Sequence, residues 1–180
     1  MNVVAIVGSI SEKSQNKKLA NFMKKHYQDK LSIDVLYLND IPMYNEDNEL
    51  DPPKEVVDIK EKIKKSEGII IVTPEYNHSI PGVLKNALDW FSRVDRVMAH
   101  KPTMIVGASY GALGTVKAQM HLRQILNSGG IATLTLPENE VFIGSIQDKM
   151  DDQGNLTHKP TLEFLDSVVD NFIKWSEKVK

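Results

Sequence analysis

Short runs of β-branched and aliphatic residues alternate along the chain with longer stretches whose apolar residues recur every three or four positions. The first run, Val3-Val4-Ala5-Ile6-Val7, stops at Gly8 and has no polar alternation, which predicts a strand buried on both faces. Leu19, Phe22, Met23, His26 and Tyr27 then repeat at helical spacing, while Lys17, Lys18, Lys24 and Lys25 take the opposite face. Ile33 to Leu38 predicts a second strand, and Val56, Ile59 and Ile63 mark a helix beginning after Pro52-Pro53. A third strand spans Ile69 to Thr73, followed by a helical stripe of Val83, Leu84, Ala87, Leu88 and Phe91. Thr103 to Gly107 is the fourth strand. A helix from about Thr115 to Asn127 is expected to stop at Gly129-Gly130. Ile131 to Leu136 is the fifth strand, and a closing helix from about Thr161 carries Leu162, Leu165, Val169, Phe172 and Ile173 on its inner face.

Strands and helices in strict alternation call for right-handed crossovers between parallel neighbours. The expectation is a doubly wound α/β fold, a five-stranded parallel sheet with helices on both faces. At 180 residues and 20.3 kDa the chain has the length of one domain, taken as residues 1–180. Its folded surface should be roughly 8,800 Å², enough to enclose a sizeable core. The long stretches expected to be irregular are Asn39 to Pro53 and Asn139 to Pro160. In such sheets ligands bind beyond the carboxyl ends of the strands, where strand order reverses. That directs attention to three turns.

Composition narrows the field. With 22 Lys and Arg against 24 Asp and Glu, there is no broad positive field for a nucleic acid backbone. The absence of cysteine removes disulfides, thiolate nucleophiles, iron–sulfur clusters and zinc thiolates together. No apolar run approaches the roughly 18 residues of a membrane span, and the start of the chain lacks a basic leader pattern. A cytoplasmic protein without membrane or nucleic acid partners is expected.

The first turn, Gly8-Ser9-Ile10-Ser11-Glu12-Lys13-Ser14-Gln15-Asn16, offers hydroxyls, amides and backbone N–H groups at a helix N-terminus, where anions settle. It suits a phosphate monoester, although Ser14 or Asn16 could equally serve as a helix cap. Ile10 stands where the dinucleotide fingerprint needs its second glycine, and a P-loop needs two glycines where this turn has only Gly8. The second turn, Thr73-Pro74-Glu75-Tyr76-Asn77-His78-Ser79-Ile80-Pro81-Gly82, is stiffened by two prolines and can present backbone groups to a flat heterocycle at low ordering cost; it could also be a rigid loop and nothing more. In the helix that follows, Lys85 precedes Asp89 by four residues, the weaker order for a helical ion pair.

The third turn, Gly107-Ala108-Ser109-Tyr110-Gly111, matches the G-x-S-x-G elbow of serine hydrolases, and Asp148, Asp151 or Asp152 with His158 would complete the order serine, acid, histidine. Against that reading, acid and histidine share one polar stretch, and the chain is short for a hydrolase with a substrate cap. Small residues here otherwise let backbone approach a ligand ring. His26, His78, His100, His121 and His158 show no helical metal spacing, and Asp151-Asp152-Gln153-Gly154-Asn155 in calcium-loop register puts Lys149 first and Pro160 twelfth. No metal is expected.

Together the three turns closely resemble the NADPH-dependent FMN reductase family, flavodoxin-like proteins that include quinone, chromate and azo-dye reductases. Pro74-Glu75-Tyr76-Asn77, Ser79, Pro81-Gly82 and Leu84-Lys85-Asn86-Ala87-Leu88-Asp89-Trp90 carry the resemblance, as do Gly8-Ser9, Ser14 and Asn16. Ser11 replaces the family's usual arginine, and Lys13 stands two positions along. The resemblance implies FMN held by Ser9, Ser11, Lys13, Ser14, Gln15 and Asn16 at its phosphate. Pro74, Glu75, Tyr76, Asn77, Ser109, Tyr110 and Gly111 would lie against its ring. NADPH or NADH would deliver a hydride to the flavin and a quinone, azo compound or free flavin would then take two electrons, with no side-chain acid or base as catalyst. It also implies a homodimer or homotetramer. A one-electron carrier of the flavodoxin type is the alternative reading, and a serine hydrolase the third.

Overall fold

The computed structural model describes residues 1–179. Its elements in chain order are β1 (Asn2–Val7), α1 (Gln15–His26), β2 (Ser32–Tyr37), α2 (Lys54–Lys65), β3 (Gly68–Val72), α3 (Gly82–Ser92), β4 (Pro102–Ala108), α4 (Val116–Leu126), β5 (Leu134–Thr135), β6 (Val141–Ile143) and α5 (Lys159–Val179). All strand pairs are parallel, in the order β2-β1-β3-β4-β5, with β6 pairing β4 beyond β5. This is the flavodoxin-like arrangement, and its switch point lies between β1 and β3.

Sequence pattern and position in the sheet agree. β3 and β4, apolar throughout or nearly so, are buried at every residue, and β1 is buried from Val3 onward. β2, at the edge, alternates. One face packs Leu19, Ala20 and Met23 of α1 with Leu165, Val169 and Phe172 of α5. The other packs Val56 and Ile63 of α2, Leu84, Leu88 and Phe91 of α3, and Leu122 of α4. The accessible surface, 8978 Å², is close to the size-based expectation. No helix among the described residues is long and apolar enough to cross a membrane.

The fifth strand departs from the expected Ile131 to Leu136. Only Leu134–Thr135 pair, opposite Pro102 and Thr103. The preceding residues turn instead: Ala132 has φ 49°, its N–H donates to Ser128 O at 2.8 Å, and Thr133 N–H donates to Leu126 O. Pro137 has no N–H to continue the ladder, and the chain leaves the sheet through Glu138 at φ 63°. It returns as β6 against Val106, Gly107 and Ala108. The stretch Asn139 to Pro160 is therefore not irregular; besides β6 it contains a 3-10 turn at Ile146–Asp148 and a bridge between Met150 and Leu156. Gly129 and Gly130 do not adopt positive φ, and α4 ends instead on Asn127, whose N–H donates to Arg123 O.

The other long stretch, Asn39 to Pro53, holds a 3-10 turn at Glu46–Asn48 and is pinned to α3. Asn86 and Trp90 both donate to Pro42 O, at 2.8 and 2.9 Å, and Asn86 Oδ1 accepts from Tyr44 N–H.

Candidate functional site

The three turns all leave the carboxyl ends of strands near the switch point, so the fold gathers them. In the first, Ser14 caps α1 by accepting from Lys17 N–H. Gln15 and Asn16 open the helix, and Asn16 is buried. Asn16 Nδ2 donates to Ala108 O and its Oδ1 accepts from Ala108 N–H, both at 2.9 Å. One side chain thus clamps the start of α1 to the end of β4. Lys17 Nζ is committed to Ile10 O, whereas Lys13 has no hydrogen-bond or ion-pair partner among the described residues. The backbone N–H groups from Ser9 to Lys13 likewise have no acceptor there.

In the second turn Tyr76 and Ser79 exchange backbone hydrogen bonds of 2.9 and 3.0 Å across Asn77 and His78, both at positive φ. Positive φ at both central residues is the signature of a tight two-residue turn, a conformation asparagine tolerates better than most. Glu75, in the loop between β3 and α3, reaches across to α4. Its Oε2 accepts from Lys117 and Ala118 N–H, at 2.9 and 3.1 Å, and so caps α4, whose own cap residue Thr115 makes no side-chain cap bond. Ser79 Oγ lies 2.7 Å from His121 Nδ1, and Lys117 Nζ 3.1 Å from His78 Nε2. The turn is held by α4 as well as α3. Lys85 and Asp89 pair at 2.7 Å on the outer face of α3.

The third turn depends on a close approach at Gly107, where a Cβ would stand 2.0 Å from Thr115 Oγ1. Ser109 N–H donates to Ile143 O, which anchors the turn on β6, and Gly111 N–H donates to Ser109 Oγ at 3.0 Å. Gly144 packs equally tightly, since a Cβ there would meet Ala112 O at 2.1 Å.

Between the turns lies a cavity of about 370 Å³. Ser9, Ser11, Lys13, Ser14, Gln15 and Asn16 line one side, Pro74, Glu75 and Tyr76 a second, and Ala108, Ser109 and Tyr110 a third. Asn77 and Gly111 stand outside the lining: Asn77 makes the tight turn, and Gly111 ties Ser109. Ala108 is the lining residue that sequence reasoning missed; its place one residue before Ser109, at the carboxyl end of β4, was the available signal. Tyr76 and Tyr110 are more than half exposed at the rim.

No hydrolase triad forms. Ser109 Oγ engages Gly111, His158 Nδ1 engages Thr161 Oγ1 at 2.8 Å, and no histidine bonds Ser109 among the described residues. Asp151 accepts from the backbone and side chain of Asn155, which makes that segment a turn. No metal-ligating cluster occurs among the described residues.

Comparison with known proteins bears on the family and the fold. The chain is 40% identical over 179 residues to the NADH:(hydroxy)cinnamate reductase subunit CrdA of Vibrio ruber, covering 99% of this chain and 89% of that one. It is 38% identical to the NADH-dependent flavin reductase subunit 2 of Lactobacillus johnsonii, over the whole of both chains. Among solved structures, the flavoenzyme FerB, an NAD(P)H:acceptor oxidoreductase of Paracoccus denitrificans, superposes with a TM-score of 0.89 at 33% identity, covering 98% of this chain and 97% of that one. The model of the NADPH-dependent FMN reductase family matches residues 1–148, and the chain belongs to that family of FMN- and NAD(P)H-dependent oxidoreductases.

Proposed function

We propose that the protein reduces quinones, azo compounds or free flavins with NAD(P)H by two-electron, ping-pong transfer, and that the cavity between its three turns holds FMN. The observation that carries this reading is the donor set at the start of α1. The N–H groups from Ser9 to Lys13 have no acceptor among the described residues, and Ser9, Ser11, Ser14 and the free Lys13 line the cavity at the start of α1. That set fits a phosphate monoester, and Lys13 supplies the cation absent at Ser11. The other two walls fit a flat ring: Pro74 and Ala108 present small, rigid surfaces, and the N–H groups of Glu75 and Tyr110 have no acceptor among the described residues.

Bound there, FMN supplies the hydride chemistry. The chain binds and orients. The stiff second turn, fixed by Glu75 on α4, sets the floor for the ring, and the backbone donors of Glu75 and Tyr110 stabilise negative charge on it. The open side between Tyr76 and Tyr110 receives NAD(P)H and then the acceptor, which is why one site serves both substrates. Met43 and Leu50, about four-fifths exposed on the loop after β2 at the same end of the sheet, support assembly as a homodimer or homotetramer.

The test is a visible spectrum of protein incubated with FMN and desalted, followed by NADH or NADPH oxidation with a benzoquinone and an azo dye. A yellow protein with parallel-line kinetics is expected. Protein that stays colourless after reconstitution would overturn the reading.

A further inference from the structure

The sheet ends at β2, and the outer side of that strand is open. Ser32 N–H donates to Met1 O, so along the parallel ladder Ser32, Asp34 and Leu36 turn their backbone groups toward β1. The alternate residues Ile33, Val35 and Tyr37 turn theirs outward, and β2 pairs no strand but β1. Their N–H and C=O groups have no hydrogen-bond partner among the described residues. An unpaired edge of this kind is a template for an added strand.

Lysines flank it from both faces of the sheet. Two cavities, of about 440 and 390 Å³, adjoin at Ser32 and Ile33. Exposed Lys24 and Lys25 from the last turn of α1, and exposed Lys62 and Lys65 from the last turn of α2, line them. Against these stands one lining carboxylate, Asp34, 3.1 Å from Lys62 Nζ. The chain as a whole carries a formal charge of −2, so the positive charge is concentrated here. The macrodipole favours lysine at each helix end separately, but does not account for their meeting along an unpaired strand. Like charge keeps the β2 edge of a second copy away. The same charge attracts an extended segment of opposite sign.

We propose that the edge of β2 is a docking surface for an extended acidic segment of another protein, which adds to the sheet as a further strand. The outward groups of Ile33, Val35 and Tyr37 supply the backbone bonds, and the four lysines select acidic side chains. A nucleic acid would meet the lysines but leave those backbone groups without ladder partners, and Asp34 would oppose its phosphates. The two cavities lie at the amino ends of β1 and β2, opposite the cavity between the three turns, so the proposal is independent of the flavin reading.

Amide hydrogen exchange on isotope-labelled wild-type protein, with a capped peptide of alternating glutamate and valine in low salt, tests this. With the peptide at ten times its Kd, exchange at Ile33, Val35 and Tyr37 should slow about tenfold, the factor set by occupancy. The same peptide N-methylated at alternate amides should give no protection, and a lysine–valine peptide should not bind. Charge reversal by Lys24→Glu with Lys65→Glu should weaken the acidic peptide about tenfold, as expected for two exposed charges. Unaltered exchange at the three amides of the wild type would overturn the proposal. Equal binding of the N-methylated peptide would do the same, because the backbone would then play no part, and so would wild-type affinity in the reversed variant. Oligothymidylate that binds more tightly than the peptide at the same salt would assign the lysines to nucleic acid instead.

Discussion

A methyl group added at Gly107 would collide with two neighbours at once, Thr115 Oγ1 at 2.0 Å and the backbone oxygen of Thr73 at 2.5 Å. The backbone oxygen cannot rotate away, so Gly107→Ala must push the end of β4 from β3. We expect a loss of about 1–3 kcal/mol in urea denaturation. An unchanged midpoint would mean that the third turn shifts freely. Ser9 poses a different question, because it is nearly fully buried in the first turn. Ser9→Asp puts a carboxylate beside the proposed phosphate seat, where like charges repel. FMN affinity should fall about tenfold or more by fluorescence titration; equal affinity at moderate salt would move the phosphate elsewhere.

Elements are joined at the site by single side chains, and these joints can be broken one at a time. Asn16→Ala strands the N–H and the C=O of Ala108 in a dry environment, at a cost of about 2–4 kcal/mol in stability. Faster hydrogen exchange at Ala108 would show that the joint between α1 and β4 had opened; unaltered exchange would show that other contacts suffice. Almost every helix and the first four strands were legible in the sequence, because burial periodicity is local information and survives without knowledge of neighbours. The fifth strand position was not, since Pro137 divides it and its second half, Val141–Ile143, is too short to stand out from the polar residues around it. That the three turns gather at one end of the sheet was legible. Their fastenings were not. Asn16 meets Ala108 across 92 positions, and Glu75 meets Lys117 across 42, so neither pair leaves a pattern along the chain. Asn77 shows the reverse case: it stands in the most recognisable motif and serves the backbone turn.

Across the whole molecule, several of the contacts that hold connecting segments in place depend on carboxylates whose protonation is disfavoured in the fold. Arg93, and after it Tyr44, donate to Glu49 and hold its carboxyl below the ordinary range, fastening the loop after β2 to the end of α3. Lys64 does the same for Asp95, which joins the chain after α3 to α2. The Asn155 side chain and backbone depress Asp151 in the turn before α5. A carboxyl with a folded pKa below its unfolded value adds stability that is fully present above roughly pH 4.5 and is lost as the pH falls through the folded value. The melting temperature should therefore hold between pH 8 and 5 with respect to these groups and drop below pH 4.5. Replacing Glu49 with Gln removes one contributor: the variant should melt lower than wild type at pH 7, and the difference should narrow as the pH approaches 3. Melting curves that stay a constant distance apart from pH 7 to pH 3 would show that Glu49 carries no proton-linked stability, and that Arg93 holds the loop without its charge partner.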